Sequence, residues 1–288
     1  VISLASGSWT ATIDPYGAGL ASLRRDGRDV VVPRVAGDGG FPFYRGAVLA
    51  PWPNRLEDGA YDFGGRSHQV PVNEPEGGTA LHGLVVERAW TVVDQRGDAV
   101  RLTVDVPRSD GYPYAVRLDL AYQLGPDGLA SELVATNDGA EPAPYGCGVH
   151  PYLVLDEGEA TEVELGAGRY LESSPDRKLP VGLHDVDGSA YDFRVPRPLD
   201  GAELDTPYTD LVRSDDGVVT VRVGRTVLRG TEGVRWIQVY TPVGRGSLAV
   251  EPCSSPANAF RTGQDLVVLA PGEQHTLAWT LSRPPLVA

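Results

Sequence analysis

Val100-Arg101-Leu102-Thr103-Val104-Asp105-Val106 alternates apolar and polar side chains residue by residue. Successive side chains of an extended chain point to opposite faces, so this stretch predicts a strand with one buried face and one wet face. Working outward, residues 116–122, 219–223 and 277–281 repeat much the same alternation. Turn signals separate such runs: Pro107-Arg108-Ser109-Asp110-Gly111, Gly125-Pro126-Asp127-Gly128, Ser214-Asp215-Asp216-Gly217 and Pro271-Gly272. Asp-Gly pairs tolerate the positive φ that tight hairpins require. With 35 Gly and 24 Pro in 288 residues, long helices are disfavoured throughout. Pro256-Ala257-Asn258-Ala259-Phe260 offers a helical turn or two. Many short strands at hairpin spacing predict an antiparallel all-β protein with very little helix, either a large sandwich or a barrel. No propeller signature recurs. The stretch 169–198 is polar and rich in Pro and Gly, and reads as a long excursion from the sheets. It lacks linker composition, so residues 1–288 are read as a single domain.

Charge excludes some partners. There are 25 basic and 39 acidic residues, and 25 − 39 gives −14. Such a chain repels phosphate backbones, and its arginines are scattered along the sequence with Lys178 as the only lysine, so no nucleic acid is expected. No apolar run approaches the ~20 residues of a membrane span. Two cysteines do not make a disulfide framework; free thiols in a reducing cytoplasm are expected. The chain starts at Val1 and has no Met, which fits a trimmed N-terminus.

Nucleotide loops, H-E-x-x-H, C-x-x-C and G-x-S-x-G are all absent. Cys147-x-x-His150 with Glu251 and Cys253 is the nearest approach to a metal-ligand set. Isolated cysteines in a β protein are usually small buried residues, so no metal is expected. Of five histidines, His68, His184 and His275 lie in polar turns or the excursion and read as structural, His68 as solvent-facing. His82 follows Glu76-Gly77-Gly78-Thr79, and His150 sits between Gly146-Cys147-Gly148-Val149 and Pro151. Such corners hold a histidine by its backbone and suit a structural or a functional role equally. Glu251 ends the apolar run Leu248-Ala249-Val250, where a carboxylate is costly unless it is paired or has a function. Arg55 in Pro51-Trp52-Pro53-Asn54-Arg55 reads as a surface guanidinium or a binding group, and Trp52 as a core edge or a stacking face.

Taken in order, the motifs resemble the aldose 1-epimerase (mutarotase) family of the galactose mutarotase-like superfamily. Gly17-Ala18-Gly19-Leu20-Ala21-Ser22-Leu23 with Asp26-Gly27 resembles the family's first hairpin. Pro51-Trp52-Pro53-Asn54-Arg55-Leu56 resembles its Asn-Arg motif, Ala80-Leu81-His82-Gly83 its Leu-His-Gly, and Val149-His150-Pro151-Tyr152-Leu153 its His-Pro-Tyr-Phe motif with Leu153 in place of Phe. Leu204-Asp205-Thr206-Pro207-Tyr208 resembles the aspartate motif, and Val250-Glu251-Pro252 through Phe260 the glutamate motif.

The resemblance implies a large antiparallel β-sandwich and the interconversion of α- and β-anomers of a free aldose by ring opening and closure. It implies Glu251 as base, His150 as acid and His82 as a second polar group near the ring oxygen. Arg55 and Asp205 would hold sugar hydroxyls, with Asn54 supporting Arg55. Trp52, Tyr152, Tyr208 and Trp236 are candidates for packing against the pyranose. No metal or cofactor is implied, only a small sugar substrate, with a monomer or homodimer as the assembly. The Trp-Pro-Asn-Arg form and Asn73-Glu74-Pro75 resemble a bacterial branch, some of whose members are associated with sulfoquinovose. An anionic sugar would need a further cation, and Arg235 or Arg88 are the candidates. The alternatives are a non-catalytic carbohydrate-binding protein of the same fold, or an epimerase of hexose 6-phosphates or sulfosugars. The catalytic reading requires Arg55, His82, His150, Asp205 and Glu251 to converge in one cleft, and it places Cys147 and Cys253 near each other.

Overall fold

A computed structural model describes residues 1–34, 41–155, 161–199 and 201–285. The alternating stretch that opens the sequence lies in the strand Ala99–Asp105, next to Val116–Gly125 and Gly128–Asn137 in a nine-stranded antiparallel sheet. In Val116–Gly125 buried residues alternate with partly or fully exposed ones over all ten positions, as a half-buried strand requires. The sheet continues through Gln274–Ser282, Thr226–Glu232 and Val219–Val223. An eight-stranded sheet runs Pro180–Asp185, Ala167–Ser173, Asp205–Leu211, Trp236–Tyr240, Ser247–Cys253, Gly148–Val149 and Val48–Leu49, with Tyr152–Val154 also pairing with Ser247–Cys253. One apolar core unites the two sheets: Leu118, Leu120, Leu133, Leu277 and Leu281 from the first, Tyr208, Ile237, Val239 and Val250 from the second. The protein is an all-β sandwich with very little helix, 54% strand and 3% helix.

Every residue of Ser247–Cys253 is buried. One face of this strand meets the core, and the other carries Cys253 into a cluster with Leu171 and Trp236. The run therefore looks uniformly apolar up to Glu251.

Three expectations need correction. The stretch 169–198 is not an excursion, because it supplies most of the strand Ala167–Ser173 and all of the edge strand Pro180–Asp185 of the eight-stranded sheet. Both strands carry partly exposed residues on both faces, so the apolar alternation is weak there. His68 is buried rather than solvent-facing: its ring stacks on Tyr61 with centroids 4.9 Å apart, and Nε2 lies 3.0 Å from the Tyr114 hydroxyl. The arginines scattered in sequence are partly gathered in space, since Arg25, Arg28, Arg225 and Arg283 line a second cavity of about 340 Å³ with Asp26. The short helix falls at Ala259–Thr262. No helix among the described residues is long and apolar enough to cross a membrane.

Candidate active site

Glu251 stands near the middle of Ser247–Cys253, directly across from Gln238 on Trp236–Tyr240. Pro207 lies across from Gln238 in turn, and Asp205 is two residues earlier on the same face. The side chains of three adjacent strands thus point into one cleft. Gln238 Nε2 donates to Asp205 Oδ1 at 2.8 Å. On the other side of Glu251, Gly148–Val149 delivers His150, whose Nε2 lies 3.3 Å from Glu251 Oε1. The backbone of His150 is pinned twice: its N–H donates to the Ala47 carbonyl, and its carbonyl accepts from the Gly46 N–H. Its ring stacks on Tyr152 with centroids 5.0 Å apart and an interplanar angle of 5°.

His82 and Arg55 arrive from the small antiparallel pair Arg55–Glu57 and Thr79–Leu81. Asn54 and His82 both adopt left-handed backbone, with φ of 55° and 62°. Asn tolerates this region better than most residues. The two positions lock each other: the His82 N–H donates to the Asn54 carbonyl at 2.8 Å, and the Asn54 N–H donates to His82 Nδ1 at 3.1 Å. Nδ1 is therefore an acceptor, and the neutral imidazole carries its proton on Nε2. The His82 and His150 rings meet edge-on, with centroids 5.4 Å apart. Gly83 follows with φ 78°, and a Cβ there would sit 2.1 Å from the Ala50 carbonyl oxygen. Gly83→Ala is expected to cost about 1–3 kcal/mol from backbone strain alone, read as a lower urea midpoint. An unchanged midpoint would contradict this packing.

Arg55, His82, His150, Asp205 and Glu251 all line one open cleft of about 850 Å³, together with Asn54 and Tyr152. Trp52, Tyr208 and Trp236 do not line it. Trp52 is buried, donates its indole N–H to the Ala80 carbonyl and packs on Phe260. Tyr208 is 1% exposed and belongs to the core, and Trp236 is held by Asp265. Large rings fill a sandwich interior cheaply, and that role has claimed Trp52 and Tyr208, while Trp236 is buried on the other face of its sheet with Leu171 and Cys253. Neither Arg88 nor Arg235 lines the cleft; Arg235 donates to Asp265 at 2.9 Å. The lining cations besides Arg55 are Lys178 and Arg245, the latter paired with Glu203 at 3.1 Å. Cys147 and Cys253 are free and buried, Cys147 just before Gly148–Val149 and Cys253 on the strand that pairs with it, and burial pushes the Cys147 thiol up to about 11, away from the thiolate form. The set Cys147, His150, Glu251 and Cys253 does not assemble as metal ligands: among the described residues no three His, Cys, Asp or Glu side chains are so grouped.

Burial governs the electrostatics. It raises Glu251 well above the carboxylate range, with Asp205 adding to the rise and Arg55 opposing it. It lowers His150 from 6.5 to about 3. His82 is also lowered, by burial first and then by His150 and Arg55. Asp205 is raised by burial, against the pull of Arg55 and Lys178. A buried pair whose members both resist charging holds one proton between them in the uncharged form.

The sequence assigned no site role to Glu74, Gln238, Tyr44 or Lys178; Glu74 stood out only within Asn73-Glu74-Pro75 and Lys178 only as the sole lysine. Gln238 had a readable signal, as the one uncharged polar residue amid Trp236-Ile237-Gln238-Val239-Tyr240. Nothing in the sequence linked Glu74 to Arg55, since its partner is identified only by the pairing of two distant segments.

An all-β sandwich with a histidine–carboxylate pair in an open, polar cleft defines an enzyme-like small-molecule site. The chain belongs to the aldose 1-epimerase family, whose sequence pattern matches residues 1–282. It is 34% identical over 288 residues to the uncharacterized protein YihR of Escherichia coli, covering 97% of this chain and 92% of that one. It is 28% identical over 166 residues to the galactose mutarotase of Mus musculus, covering 54% of this chain and 47% of that one. Among solved structures, the GalM/aldose epimerase homologue from C. elegans superposes with a TM-score of 0.85 at 23% identity, covering 99% of both chains.

Proposed function

We propose that the protein is an aldose 1-epimerase that interconverts the α- and β-anomers of a free sugar, with Glu251 and His150 as its proton-transfer pair. The observation that carries this reading is the 3.3 Å approach of His150 Nε2 to Glu251 Oε1 inside the cleft that Arg55, His82 and Asp205 also line.

The pair has two tautomers of the same net charge: carboxylate with imidazolium, and carboxylic acid with imidazole. From the first, Glu251 takes the proton of the anomeric hydroxyl. The C1–O5 bond breaks with its electron pair going to O5, and O5 takes the proton of His150. The product is the open-chain aldehyde, and the pair is now in its second tautomer. Rotation about C1–C2 presents the other face of the aldehyde, and closure runs the same transfers backwards. Protons balance within the pair and the sugar. Burial favours the uncharged tautomer, while the positive field of Arg55 favours the carboxylate, which narrows the gap between the two. His82 offers its Nε2 proton to the ring oxygen or a neighbouring hydroxyl. Arg55 and Asp205 hold hydroxyls that persist through the reaction.

The test is anomer exchange, by NMR or polarimetry, on freshly dissolved α-aldoses, neutral and anionic, against the spontaneous background. Absence of any acceleration across the panel would leave a sugar-binding protein instead. Arg55→Ala is expected to act partly through KM, since the hydroxyl contact it removes is present in both ground and transition states. A fall in kcat with KM unchanged would contradict that role.

The pH profile offers a further check. A second proton reaches the pair only when His150 is charged, and burial puts that at about 3. Loss of the shared proton requires Glu251 to ionise from its raised position. Activity should therefore persist well below the ordinary histidine value of 6.5 and fall on the alkaline side. An acid limb near 6.5 would overturn the neutral-pair assignment.

A further inference from the structure

Arg55 does not enter the cleft as a free cation. Its Nε and Nη2 donate to the two oxygens of Glu74 at 2.8 and 2.9 Å, a fork-to-fork pairing. Glu74 is held in turn by the Thr79 hydroxyl, and its backbone N–H and carbonyl pair with Thr79 at 3.1 Å in both directions. Asn54 Oδ1 accepts from the Arg55 backbone N–H at 2.9 Å and lies 3.4 Å from Nη1. The residue beside Glu74 grips the second arm of the site. Asn73 Oδ1 accepts from the Leu81 N–H at 2.6 Å and its Nδ2 donates to the Leu81 carbonyl at 3.0 Å. Leu81 immediately precedes His82. One dipeptide, Asn73-Glu74, therefore fixes both the guanidinium of Arg55 and the backbone that delivers His82. Only part of the fork, on Nη1 and Nη2, is left for a ligand.

We propose that Glu74 is a positioning residue for anomer exchange: its carboxylate fixes the Arg55 guanidinium at the cleft and offsets its charge, so that Arg55 meets the sugar as an oriented hydrogen-bonding fork selecting neutral hydroxyls. The proposal rests on the anomer-exchange reading of the same cleft. Two consequences separate it from a role in stability. First, a purely structural residue would not alter the preference between neutral and anionic sugars. Glu74→Gln keeps the size but removes the charge that offsets Arg55, so a carboxylate near that fork becomes more acceptable and a hydroxyl less well aligned. Second, Arg55 acts electrostatically on Glu251, lowering it. The charged and titratable groups that act on Glu251 or feel its charge are His150, Asp205, Arg55, Tyr152 and Cys253. With Glu74 neutral, the uncompensated guanidinium pulls Glu251 down further, and the alkaline limb of the rate profile moves to lower pH.

The experiment compares the intact protein with Glu74→Gln, using glucose and glucuronate as the neutral and anionic probes. The expected results are a rise of about tenfold in KM for glucose with a smaller change in kcat, a glucose-to-glucuronate ratio shifted toward glucuronate, and an alkaline limb at lower pH. The ¹⁵N resonance of Arg55 Nε, assigned with Arg55→Lys, should lose its hindered-rotation signature in Glu74→Gln whether or not any sugar is turned over. Unchanged Arg55 resonances, or an unchanged ratio and limb in an active protein, would overturn the positioning role alone. If the unsubstituted protein accelerates no aldose, the functional reading falls first, and the role in catalysis falls with it while the resonance still reports on the clamp.

Discussion

Glu251→Gln is expected to lower kcat by about 10²-fold or more while KM changes little. The amide keeps the shape of the carboxyl group but can neither take the anomeric proton nor return it. Its cost in folding is small, because an uncharged side chain replaces a group whose charge the site already resists. The loss should therefore appear in turnover rather than in the amount of folded protein. Anomer exchange near the unsubstituted rate, after subtraction of the spontaneous reaction, would remove Glu251 as a proton-transfer group and favour the binding-protein alternative.

His150→Asn is expected to cost a similar factor, about 10²-fold or more in kcat, through loss of the other half of the pair. The informative comparison is the double variant. Two groups that pass one proton between them act as a unit, so removing both should cost little more than removing either. Fully multiplicative losses would mean that Glu251 and His150 work on separate steps, which contradicts an exchange that alternates between tautomers of one pair. Both variants share the His82 frame, which depends on Asn54 rather than on either substituted residue.

The fold was legible because antiparallel strands write their burial into the chain with a period of two, as in Val116–Gly125. That signal failed where the same physics no longer applies. Pro180–Asp185 is the sheet edge and Ala167–Ser173 the strand beside it; neither has one clearly buried face, and their polar residues read as loop. His68 was misjudged because a polar turn sequence does not reveal that Tyr61 and Tyr114 enclose it. At the site, Glu251 stood out as a charge closing an apolar run, and His82 and His150 through their Gly- and Pro-bounded corners. The aromatic residues could not be sorted, since a ring that packs a sandwich core and a ring that packs a sugar have the same composition. Tyr152 reaches the cleft, whereas Trp52 and Tyr208 pack the core and Trp236 is buried against Leu171 and Cys253. Asn73-Glu74-Pro75 stood out as a motif, but the role of Glu74 was not legible because it lies in the pairing of Arg55–Glu57 with Thr79–Leu81.

Within the eight-stranded sheet, Val48–Leu49, Gly148–Val149 and Ser247–Cys253 lie side by side although roughly a hundred residues separate each from the next. The Glu251–His150 contact exists only once those seams have closed. Contacts so remote along the chain pay loop-closure entropy before they return any packing, and topologies built from them assemble slowly, on the order of milliseconds to seconds. Refolding from denaturant should restore strand circular dichroism before or together with catalysis, never after it. Under the proposed activity, the rate of anomer exchange would serve as a clock for the last event of folding.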